Sequence, residues 1–133
     1  MHIQNELYIG FIIYAAVAFV GLLLYAYRVT IGHDLKQLQK PLSIVSINHS
    51  QIIVNFWCIS HFVMYFVLGV LSPSYWWLWM LLGVLWEWFE IVCERNQVMY
   101  IDGKWSDIPV NLSGLLMGVF VHDRILTPIS SLS

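Results

Sequence analysis

Charge is scarce in this chain of 133 residues. Charged side chains make up 11% of it, against about 25% in an ordinary soluble domain. Six Lys+Arg stand against eight Asp+Glu, a formal net charge of −2. That balance lacks the basic surface on which nucleic-acid binding rests, so no nucleic-acid partner is expected. Cysteine is scarce too. Cys58 and Cys93 both lie in apolar runs, where a thiol behaves as a small hydrophobe, and two such residues make neither a disulfide framework nor a zinc site. There is no glycine-rich phosphate loop, no H-E-x-x-H, no nucleophile elbow, no internal repeat and no low-complexity tract. His2, His33, His49 and His122 fall near the surfaces with no ligand spacing, so neither a metal nor a cofactor is expected from the linear sequence.

Apolar residues are abundant. They make up 59% of the chain, where roughly 45–50% is usual. One small domain cannot hide that much apolar surface from water, which makes lipid the expected solvent and the bilayer the expected partner. Four apolar stretches stand out, at about 7–27, 51–71, 75–93 and 107–121. At about 1.5 Å per residue the first three reach roughly 28–32 Å, the thickness of a hydrocarbon core, and the fourth only about 22 Å. The runs are continuous and lack alternation of period two, which favours helices over barrel strands. Ser72, Pro73 and Ser74 separate the second and third stretches, a tight turn that makes them a hairpin.

The expectation is therefore an all-α, polytopic membrane protein. Residues 1–133 form one membrane domain of four transmembrane helices in an antiparallel bundle. If the helices alternate, Arg28, Lys36, Lys40, Arg95 and Lys104 share one side and only Arg124 faces them, five against one. That bias places both termini on the non-cytoplasmic side. Tyr8, Tyr75, Trp76, Trp77 and Trp79 are expected as an outer aromatic belt, and Tyr25, Tyr27 and Trp105 as an inner one. The first stretch lacks a basic leader and is too long for a signal-peptide core, so it reads as a retained helix. Its small residues Ala15, Ala18 and Gly21 suggest a face for helix partners.

An ionisable group at the centre of a membrane helix costs about 2.5–3.5 kcal/mol on insertion scales, so those present are informative. Glu87, Glu90 and Glu94 lie at i, i+3 and i+7, one stripe of a helix. His61 falls near the midplane of the second stretch, with Asn55 nearer the inner side. Asp107 and Asn111 open the fourth stretch on one face, and Gly114 and Gly118 continue it. One shared polar cluster opening inward is expected, with Arg95 or Lys104 as countercharge. Glu87, Glu90 and His61 are the candidates for chemistry, Glu87 or Glu90 as general acid or base with His61 as its partner. Asn111, Asp107 and Arg95 are the candidates for holding a ligand. The structural alternative stays open: polar side chains also join helices by hydrogen bonds, Gly114-x-x-x-Gly118 is a close-packing motif, and Ser106-Asp107-Ile108-Pro109 is a helix start in its own right.

These residues follow a familiar order. H-F-V-M-Y-F-V-L-G occupies 61–69, E-W-F-E occupies 87–90, Arg95 follows, and D-I-P-V-N-L-S-G-L-L-M-G occupies 107–118. The order H-F-x-x-Y-F-x-L-G, E-x-x-(Q/E), R, D-x-x-x-N-x-x-G-x-x-x-G resembles the VanZ-like family of small multi-pass membrane proteins, over about 58–119. The Asp-Lys pair that the family often carries before the histidine is missing, and Trp57 and Cys58 stand in that stretch. Members of the family include a protein associated with resistance to the glycopeptide teicoplanin. The resemblance implies an integral membrane protein of undefined activity, with an inward-facing His/Glu/Asp/Asn site for a lipid or amphiphile headgroup. Two other functions stand beside it. One is a structural subunit of a larger respiratory, photosynthetic or virion membrane assembly, with other membrane subunits as partners, since short, natively terminated membrane chains often occur in such assemblies. The other is a small proton or ion pathway along Glu87, Glu90 and His61.

Overall fold

The computed structural model describes residues 3–31, 43–47, 50–54, 56–95 and 107–127. Among these residues four helices carry the fold: α1 (Ile3–Ile31), α2 (Phe56–Leu71), α3 (Trp76–Arg95) and α4 (Asp107–Val121). Strands β1 (Ser43–Ile47) and β2 (Ser50–Val54) precede α2 and pair antiparallel, with Ser43 opposite Val54 and Ile47 opposite Ser50.

The four helices agree with the helical class expected, and the short hairpin corrects the boundary of the second apolar stretch. Residues 51–54 belong to β2, and α2 begins at Phe56. The cause is local. Ile44, Val45 and Ile47 pair with a run holding Ile52, Ile53 and Val54, and β-branched side chains favour a pleated strand over a helix. A short apolar run is compatible with either, so hydrophobicity alone does not separate them. The other boundaries lie within a few residues of the expected ones, and α4 coincides with 107–121.

Pro73 stops α2, because it cannot donate to the helical ladder. The Ser72 N–H closes the last turn onto the Leu68 carbonyl at 2.8 Å. A 3-10 turn at Pro73–Tyr75 then runs straight into α3. Trp79, one turn into α3, donates its indole N–H to the Ser72 hydroxyl at 3.1 Å and the Ser72 carbonyl at 3.3 Å. Trp79 is fully buried, which removes it from the expected outer belt. Trp76 and Trp77 are exposed, and the helical turn between them and Trp79 rotates Trp79 toward α1.

The α1 helix meets this corner at Gly10, where a methyl group would collide with the Trp79 ring. Phe11 makes an edge-on contact with Trp79 at 5.3 Å, and Tyr14 stacks on it at 6.4 Å. Just above, Glu6 is buried and accepts the Ser74 backbone N–H at 3.3 Å. A carboxyl group of one helix thus caps the start of another, where unsatisfied backbone donors gather. The contact forms here because Gly10 is the small residue facing a large ring. Ala15 is exposed and Gly21 has open space around it, so the expected small-residue face of α1 is not the one used.

The closest helix pair is α2 with α4, and the two run parallel. Phe62 lies on Gly114, Phe66 on Gly118, and the Val70 carbonyl meets His122 Nδ1 at 2.8 Å, a constant sequence offset of 52. Gly69 fills the same seam against Leu115, Gly118 and Val119, backbone to backbone. Small residues permit this approach, which gains dispersion contacts that longer side chains would prevent. The antiparallel neighbour α3 lies less closely against α2. In a bundle of alternating helices the second and fourth run parallel, and here backbone proximity makes them the tightest pair. Beyond α4 a π-helical turn (His122–Leu126) ends with the Thr127 hydroxyl donating to the His122 carbonyl at 3.0 Å.

Among the described residues, two helices are apolar and long enough to cross a membrane, over Gln4–Leu23 and Pro73–Cys93. The apolar part of α2, Cys58–Leu71, is shorter. Asn55, Lys36, Lys40, Lys104, Trp105, His2, His33 and His49 lie outside the described residues, as do the side chains of Tyr25, Tyr27, Arg28 and Glu94.

Candidate functional site

The glycine seam fixes the depth of one side chain. Phe62 rests on Gly114, so His61, its neighbour in α2, is held at the level of the first turns of α4. Asp107 begins that helix and Asn111 follows one turn later, on the same face. Pro109 in the first turn costs no helical hydrogen bond, and its carbonyl accepts the Ser113 hydroxyl at 2.7 Å. From the other side α3 presents Glu87 and Glu90, one turn apart.

Three of these groups converge. His61 Nδ1 stands 3.8 Å from Glu87 Oε1 and 4.0 Å from Asp107 Oδ2. One ligand-capable atom from each of the three residues lies within 4.8 Å of the others. Asn111 lies against His61 and completes the α4 side. Glu87 and Asn111 are each only 1% exposed, and Asp107 is 8% exposed. A polar cluster this deeply enclosed has to satisfy its charges internally, because water is not there to do so.

Glu90 is equally buried, yet its Oε1 accepts the Trp86 indole N–H at 2.6 Å. The helical stripe that groups it with Glu87 is real, but the indole gives Glu90 a partner on its own helix. Arg95 is exposed at the end of α3, and no contact among the described residues ties it to the cluster. The long side chain at a helix end reaches outward more readily than back into a packed interior. The expected countercharge therefore does not come from Arg95.

Two phenols complete the surroundings, and neither is among the site residues expected from the sequence. Tyr14 of α1 and Tyr65 of α2 hydrogen-bond each other, and both lie within electrostatic reach of Glu87 and Glu90. Tyr65 packs its hydroxyl over Gly83, where a methyl group would collide with it. Its place four residues after His61 is a legible signal, since the two share a helix face. Tyr14 sits in an apolar run with nothing in its local pattern to mark it.

Every helix thus contributes: Tyr14 from α1, His61 and Tyr65 from α2, Glu87 and Glu90 from α3, Asp107 and Asn111 from α4. Imidazole and carboxylate side by side can hold a cation, accept donors from a polar ligand, or pass a proton. No protein-family model, curated protein or solved structure matches the chain.

Proposed function

We propose that this chain is a VanZ-like integral membrane protein with four spans and both termini on the non-cytoplasmic side. Its enclosed His61/Glu87/Asp107/Asn111 site binds the polar headgroup of a lipid or amphiphile. The observation that carries this reading is the convergence of His61, Glu87 and Asp107, from three helices, within 4.8 Å of one another. Such a cluster is expensive in a bilayer, and helix packing alone would be served by neutral hydrogen-bonding side chains at lower cost. Here the α2–α4 seam already packs through Gly69, Gly114 and Gly118, so the charged groups are not needed as glue. The order of motifs shared with VanZ-like proteins supports the same reading. Glu87 and Asp107 accept from the headgroup, Asn111 orients it, and Glu90, held by Trp86, keeps its place behind them.

A structural subunit of a larger membrane assembly is the second reading. Phe11, Ile12, Phe19, Val20 and Leu23 of α1 are all exposed, a face that either lipid tails or a partner helix would cover.

Native mass spectrometry of protein extracted gently from its own membrane tests both. A monomer or small homo-oligomer retaining a polar lipid, with the lipid lost on Glu87→Gln, is the expected result. Stoichiometric protein partners, with no retained lipid, would replace this reading with the second one.

A further inference from the structure

We propose that His61, Glu87 and Asp107 form the ligand set of a divalent metal ion of the zinc or manganese class, with the Asn111 carboxamide oxygen as a fourth donor. The inference rests on the reading above only in treating the cluster as a binding site, and needs no bound lipid.

Geometry comes first. The three ligand atoms come from three different helices and lie within 4.8 Å of one another, with His61 Nδ1 at 3.8 and 4.0 Å from the two carboxylate oxygens. Tetrahedral ligands at about 2.1 Å from a zinc ion stand about 3.4 Å apart. The set is slightly wider than that, by an amount that small rotations of the two carboxylates close.

A second observation points to a ligand independently. Asn111 is 1% exposed and packs against His61, yet among the described residues its Oδ1 makes no hydrogen bond of ordinary geometry. A buried carbonyl oxygen left this way is destabilising, and coordination to a cation would satisfy it.

Charge selects the valence. Two carboxylates and a neutral imidazole carry two negative charges, so a divalent ion leaves the group neutral, the condition under which a polar cluster best tolerates a low-dielectric interior. One nitrogen among oxygen donors favours zinc or manganese over magnesium, which keeps most of its water and prefers oxygen alone. The linear sequence hides the set, because residues 61, 87 and 107 have no conventional ligand spacing and are united only by folding.

Metal analysis of the delipidated protein in detergent is the test. The protein is stripped with chelator, dialysed against zinc, manganese or magnesium separately, and assayed for bound metal and thermal stability. The expected result is about one equivalent of zinc or manganese, little magnesium, and a midpoint that rises on metal addition. Asp107→Asn and His61→Ala should each weaken binding by about tenfold or more. Because either variant could misfold, Asn111→Asp is the companion: it keeps an oxygen donor at that position and should retain the metal. Wild-type protein that is folded, binds less than about a tenth of an equivalent and shows no midpoint shift overturns the proposal. So does zinc binding that survives Asp107→Asn and His61→Ala combined in one chain. The two readings fail separately: lipid retained by chelator-stripped protein extracted gently from its membrane would leave the headgroup reading standing, while metal bound by the delipidated protein with no lipid retained in that extract would do the reverse.

Discussion

Gly118 of α4 rests directly on Gly69 of α2, main chain against main chain. Neither position has room for even one methyl group, since a Cβ on Gly118 would run into the Phe66 carbonyl and the Gly69 Cα. This contact holds two parallel helices at the spacing that brings His61 beside Asp107.

Gly118→Val should therefore separate α2 from α4 and disturb the polar cluster without touching it. Overpacking of this kind costs about 1–3 kcal/mol. Thermal unfolding in detergent should show the lowered midpoint, and metal or lipid retention should fall in parallel. Gly21→Val is the matched control, because among the described residues nothing lies within 4 Å of a methyl group there, and its midpoint should stay within experimental scatter of the parent.

Trp79→Phe keeps a ring at the corner of α1, α2 and α3 but removes the donor to Ser72. The expected loss is about 1–3 kcal/mol, for the vanished hydrogen bonds and the smaller ring. Indole fluorescence is crowded here by the other tryptophans, so differential scanning calorimetry is the better readout. An unchanged midpoint would mean the corner is held by ring packing alone.

Glu6→Ala removes the acceptor for the Ser74 N–H at the start of α3. Ser74 is exposed, so the cost is that of the lost hydrogen bond alone, about 0.5–1.5 kcal/mol. Hydrogen exchange should speed up at the first turn of α3 and hardly change near Glu87, which separates this local effect from global loosening.

Arg95→Ala should leave lipid and metal retention unchanged, because that side chain is exposed at the end of its helix. A clear loss on this substitution would show that the arginine folds back to the cluster when the site is filled.

Much of this arrangement was legible in the linear sequence, and the reasons differ by element. Pro73 and Asp107 marked helix boundaries correctly because stop and start signals act within a few residues. Glu87, Asp107, Asn111 and His61 were legible because charge inside an apolar run is conspicuous whatever the fold. The strand over Ser50–Val54 was not, since a short apolar run looks the same in either conformation until β-branching is weighed. Glu6 and Ser74 meet across 68 residues of sequence, and Tyr14 joins Tyr65 from another helix. No periodicity encodes such meetings, because they follow from how whole helices lean on one another. The role of Trp79 was hidden similarly: its hydropathy matches that of Trp76 and Trp77, and only the direction of its face distinguishes it.

The parallel clasp of α2 and α4 also sets an order of assembly. The ribosome makes α2, then α3, and only afterwards the helix against which α2 fits best. During that interval His61 and Glu87 are in place while Asp107 and Asn111 are still to come. The half-built protein is a helical hairpin carrying an imidazole and a carboxyl group on an unfinished face, and the last helix to arrive covers it. A chain cut short before residue 107 would keep that face uncovered, and a protease that recognises exposed polar groups between helices would have a ready means of telling the incomplete molecule from the finished one.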